Sequence, residues 1–126
     1  MVKFKFSNKK KFLIAEAGIN HNGKLKTALD LVDTAKTNGA DAIKFQTYKT
    51  EKRINKKYKK IFEILKNCEL GYEDFKKIND YCKKKKIIFF STPFDKEAVD
   101  FLETLKVPLY KVASFELIDL PLIKYI

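Results

Sequence analysis

Two hydrophobic periods alternate along the chain. Residues 12–15 (Phe-Leu-Ile-Ala) form a short apolar run ending at Glu16, which reads as a buried strand. Gly18, Asn22 and Gly23 mark a loop after it. From Lys24 the period changes. Leu25, Ala28, Leu29 and Val32 fall at i, i+3, i+4 and i+7, one buried face of a helix, and Asn38-Gly39 supplies its C-cap signal. Over residues 41–46, Ile43 and Phe45 alternate with Ala42, Lys44 and Gln46, the period of a second strand. Residues 47–60 are polar and basic, part of a long excursion of the kind that often carries function, and residues 61–65 predict a short helix inside it. Residues 72–85 predict the next main helix, with Phe75, Ile78 and Cys82 on one face. Residues 87–90 are apolar on both sides, as in parallel strands covered on both faces, and Ser91-Thr92-Pro93 stops them. Asp95 is placed to N-cap a helix through Leu105, with Ala98, Phe101, Leu102 and Leu105 at helical spacing. After a turn at Val107-Pro108, residues 109–112 predict a fourth strand and residues 121–126 the opening of a fourth helix.

Strict β-α alternation implies a parallel sheet with right-handed crossovers. A doubly wound open sheet and part of a TIM-type (β/α)8 barrel both fit. Four βα units in 126 residues match the N-terminal half of a barrel of about 250 residues.

Composition narrows the function classes. Hydrophobic residues make up 45%, as in globular proteins. No apolar run approaches the roughly 18 residues of a membrane helix, and the apolar stretch after the basic N-terminus is too short for a signal-peptide core. The expectation is a cytoplasmic protein with no membrane partner. Cys68 and Cys82 lack zinc or redox spacing and read as reduced, partly buried thiols. The formal charge is +11, yet of 27 lysine and arginine residues only Arg53 is arginine. Nucleic-acid readers depend on arginine, so a solvated lysine surface is expected, with no nucleic-acid partner.

In a parallel α/β array the C-terminal ends of all strands share one face, where active sites form. Polar groups recur there. Glu16, Asn20 and His21 follow or close the first strand; Lys44 and Gln46 belong to the second; Ser91 and Thr92 follow the third; Lys111, Ser114 and Glu116 belong to or follow the fourth. Two lysines can neutralise a phosphate or carboxylate, Thr92 and Ser114 can donate to its oxygens, and Glu16 and Glu116 can move protons; exposed edge lysines, and a capping or turn hydroxyl at Thr92, are the rival roles. Lys44 on an inward face requires an anionic partner. A structural salt bridge to a strand lysine is the rival role for Glu16. His21, the only histidine, is expected to bond backbone in its loop rather than act as a ligand.

Five segments, in order, carry a family resemblance. Residues 14–23 (IAEAGINHNG), 39–47 (GADAIKFQT), 62–66 with Glu69-Leu70, 90–95 (FSTPFD) and 110–116 (YKVASFE) closely resemble the sialic acid synthase family. The resemblance implies a transferase that condenses phosphoenolpyruvate with N-acetylmannosamine or a related N-acylated amino sugar, giving a nonulosonic acid and phosphate. Carried onto this chain, Lys44, Thr92, Lys111 and Ser114 hold phosphoenolpyruvate. Glu116 handles the water or proton at C2, and Glu16 lies near the reacting centre. Asn20 and Gln46 support them. The resemblance also implies a divalent metal, Mn2+ or Mg2+, whose ligands lie outside these residues, and a homodimer at full length. Residues 1–126 then correspond to the N-terminal part of the catalytic barrel, without its later strands or the family's C-terminal antifreeze-like domain, and are expected to be inactive alone. Two other readings stay open: a phosphoenolpyruvate-condensing barrel using another sugar aldehyde, and a non-catalytic basic module binding polyanions.

Overall fold

The computed structural model describes residues 11–126; the basic stretch before them lies outside the described residues. Strand β1 spans Ile14–Gly18, helix α1 Leu25–Thr37, and strand β2 Ala42–Thr47. Helices α2 (Thr50–Arg53), α3 (Lys59–Asn67) and α4 (Tyr72–Lys85) follow. Strand β3 is Ile88–Pro93 and helix α5 Lys96–Thr104; a 3-10 turn at Ser114–Ile118 leads into helix α6, Leu120–Tyr125.

The three strands are parallel in the order β1-β2-β3. The fourth segment touches β3, not β1, through a bridge from Ser91 to Tyr110. A doubly wound sheet reverses its order and carries helices on both faces. Here the order runs straight on, and α1, α4 and α5 all pack on one face. Ile43, Phe45 and Phe89 meet Val32 of α1, Ile78 of α4 and Leu102 of α5 in one core. Sequential winding with a one-sided helix layer is the geometry of a barrel segment. The other sheet face carries the alternate residues of each strand.

Helix ends follow sequence chemistry. Gly39 takes φ +83° after α1, and Ala40 N–H reaches Ala35 C=O at 3.0 Å, closing a Schellman turn. Asp95 caps α5, its Oδ1 accepting from Ala98 N–H at 2.8 Å.

Three expectations are corrected, and two short elements are added. The fourth strand over residues 109–112 reduces to the single bridge at Tyr110 plus Lys111 N–H to Ser91 C=O at 3.2 Å. Among the described residues no strand flanks its outer side, and Pro108 removes a donor. Strand β3 does not stop at Phe90 but runs through Ser91 and Thr92 to Pro93, each paired to β2. The run at 12–15 is not wholly buried: β1 begins later, at the sheet edge, with Leu13 54% and Ile14 38% exposed. Helix α2 and the 3-10 turn were not marked by any hydrophobic period.

Candidate active face at the strand ends

Register puts the site residues on one surface. Glu16 is across from Lys44, and Gln46 is across from Thr92. Because Ile43 and Phe45 face the helices, Lys44 and Gln46 face away from them, and their partners follow. Glu16, Lys44, Gln46 and Thr92 therefore share the face opposite the helix layer.

Lys44 is only 5% exposed. Its Nζ lies 2.8 Å from Glu16 Oε2, and the Glu16 side chain is largely in solvent. The buried cation thus has the anionic partner its position demands. The rival role for Glu16 is real: it is the counter-ion of Lys44. That does not remove it from chemistry, since its side chain remains largely exposed. Thr92, across from Gln46 on the same face, is fully buried.

The later residues are placed differently. Lys111 is exposed, and its Nζ donates to the adjacent Val112 carbonyl. Ser114 is exposed at the start of the 3-10 turn, and Glu116 is half-buried within it. Burial pushes the Glu116 carboxyl above its usual range, with repulsion from Asp119 adding and Arg53 opposing. No hydrogen bond or ion pair among the described residues ties Lys111 or Ser114 to Lys44 or Thr92. Asn20 sits exposed in the turn after β1, its N–H on Ala17 C=O at 2.9 Å.

His21 is in the core. Its Nδ1 accepts from Gly23 N–H at 3.1 Å, and its ring lies 6.0 Å from Phe45. Burial lowers its pKa, against a raising contribution from the Gly18 backbone. It is a backbone-bonded loop histidine, as its sequence context suggests. Among the described residues no group of three or more His, Cys, Asp or Glu side chains is arranged to hold a metal. The two cysteines are free and buried, and burial pushes the Cys82 thiol up to about 12.

Sequence reasoning missed one residue here. Arg53, at the end of α2, donates from Nη1 to Gln46 Oε1 at 3.0 Å. Its guanidinium lies against Phe94 and Tyr48, which also anchors the loop by donating to Leu65 C=O at 2.9 Å. Glu69 pins the start of α2, accepting from Thr50 N–H at 2.9 Å and Oγ1 at 2.7 Å. The available signal was Arg53's singularity: the one arginine of a lysine-rich chain, seven positions after Gln46.

Comparison with known proteins agrees with this architecture. The model of the NeuB family matches residues 31–126. An uncharacterised protein of Methanocaldococcus jannaschii is 46% identical over 113 residues, covering 90% of this chain and 33% of that protein. The N,N'-diacetyllegionaminic acid synthase of Legionella pneumophila is 39% identical over 127 residues, covering 90% of this chain and 36% of that enzyme. Among solved structures, the N-acetylneuraminic acid synthetase of Leptospira borgpetersenii, in complex with citrate, superposes with a TM-score of 0.91 at 34% identity, covering 98% of this chain and 45% of that one. The chain spans about a third of the length of the curated relatives it matches.

Proposed function

The chain belongs to the NeuB family, and from that membership we propose that it supplies the phosphoenolpyruvate-binding part of a synthase that condenses phosphoenolpyruvate with an N-acylated amino sugar. The products are a nonulosonic acid and phosphate. Residues 1–126 act as the N-terminal part of the catalytic barrel, within a cytoplasmic homodimer.

One observation carries the reading: a buried lysine with Glu16 as its counter-ion, on the strand face that also bears Thr92 and Gln46. A phosphorylated carboxylate entering this face meets a cation already desolvated, so each contact to it is stronger than in water. Lys44 and Thr92 bind from the sheet. Lys111 and Ser114 close from the loop beyond β3, and their exposure leaves them free to turn toward the ligand. In the reaction, C3 of phosphoenolpyruvate attacks the open-chain aldehyde. Water then adds at C2, and phosphate departs with cleavage of the C–O bond. Glu116, its carboxyl raised by burial, is suited to take and return the proton of that water. Glu16 orients Lys44 and faces the reacting centre, while Asn20 and Gln46 line the approach. The divalent metal implied by the sequence resemblance, Mn2+ or Mg2+, finds no ligand set among the described residues, and no step above depends on it.

The test is phosphate release by the full-length protein, supplied with divalent metal, from phosphoenolpyruvate in the presence of N-acetylmannosamine or a diacetamido sugar. Release should require both substrates, and product mass identifies the acceptor. No release with any N-acylated amino sugar would refute the reading.

A further inference from the structure

Arg53 has a setting that the proposed chemistry above does not use. Its guanidinium carbon lies 3.8 Å from the Phe94 ring centroid, 4.7 Å from Tyr48 and 5.9 Å from Phe115. Among the described residues it enters no ion pair; Glu116 acts on it only through its field. Its hydrogen bond runs to the Gln46 amide.

A guanidinium donates and never accepts. It therefore decides which end of the Gln46 amide it meets: the oxygen, at 3.0 Å. The Nε2 end is left pointing away, 3.9 Å from where a Cβ on Gly18 would stand. Gln46 is paired across β2 and β3 with Thr92, on the face that carries Lys44 and Glu16. A free-swinging glutamine offers this face an acceptor or a donor. One clamped at its oxygen offers only a donor, the polarity an anion requires.

We propose that Arg53 is a positioning residue that holds Gln46 as an obligate hydrogen-bond donor toward the substrate anion bound at this face. The proposal rests on the phosphoenolpyruvate reading. The aromatic box explains the use of arginine at this position. A planar guanidinium stacks on Phe94 while keeping its fork aimed at the amide, which an ammonium on a flexible stem does not do.

The test is a double-mutant cycle on the full-length protein, with phosphoenolpyruvate affinity measured by calorimetry. Gln46→Met and Arg53→Met should each weaken binding by about tenfold, the scale of one charge-assisted hydrogen bond. Because Arg53 acts through Gln46, the double variant should bind no worse than Gln46→Met alone. Arg53→Lys should fall between wild type and Arg53→Met, and it carries the cycle if the methionine variant does not fold. Additive losses in the double variant, or single-variant affinity within about twofold of wild type, would overturn the proposal and leave the phosphoenolpyruvate site standing. Absence of phosphoenolpyruvate binding to the wild type would overturn both.

Discussion

A lysine at position 44 falls on a strand whose alternate residues pack against helices, so period 2 sends its side chain to the opposite face and Glu16 must neutralise it. The facing of Lys44 was legible in the sequence, because a strand alternation needs only local residues; its pairing with Glu16 crosses two strands and stood there as a rival role. The role of Arg53 was not, because it depends on Phe94 and Tyr48 meeting across two elements. Gly23 shows the same limit at the backbone. Its φ is +68°, and a Cβ there would stand 2.3 Å from the Asn67 carbonyl oxygen. Gly23→Ala should therefore lose more than about 2 kcal/mol in urea unfolding, from left-handed strain plus a clash with backbone that cannot yield. Lys86 is the reverse case. It holds φ +55° after α4, exposed, while its carbonyl and not its side chain receives Lys36 Nζ. Lys86→Gly should gain about 0.5–1 kcal/mol by the same measurement, since glycine adopts this conformation without strain.

At the scale of elements, helices with a strong apolar stripe were legible and short ones were not. The apolar stripe of α4, and the stripe and Asp95 cap of α5, specify them locally. Helix α2 has one turn and is held from outside by Glu69, and the 3-10 turn lacks a buried residue, so neither leaves a period to read. Removing the α5 cap by Asp95→Ala should cost about 1 kcal/mol of stability. The β1–α1 loop predicts a pH response. His21 has a lowered folded pKa, so the unfolded chain takes up a proton first as pH falls. Stability is full above about pH 6.5 and declines below it. At Glu69, burial raises the carboxyl, but the hydrogen bonds from Thr50 and Lys66 win and hold it low, so a second decline begins below its unfolded pKa. Unfolding free energy that stays flat between about pH 7.5 and 5.5 would contradict the His21 account.

For the whole molecule, alternation of elements identified the α/β class, but the strand order and the one-sided helix layer separated a barrel segment from a doubly wound sheet. Order is set by which strand the fourth segment meets, and no local pattern encodes that. The same nonlocality explains why an apolar run was read as buried while Leu13 and Ile14 stand exposed. Hydrophobicity records what a strand is shaped to touch, and β1 touches only β2 among the described strands. At the other end Phe115, Leu117, Ile118 and Leu120 are all at least 59% exposed. Apolar surface flanking open sheet edges favours association, so the isolated 126-residue chain should show a mass that grows with concentration in light scattering; a monomer at all concentrations would count against it. The strand-end face itself is most directly tested by phosphoenolpyruvate calorimetry on the full-length protein and its Lys44→Met variant, which keeps the side-chain volume and removes the charge. Binding should weaken at least about tenfold with the fold retained, whereas unchanged affinity would show that the phosphoenolpyruvate site lies elsewhere.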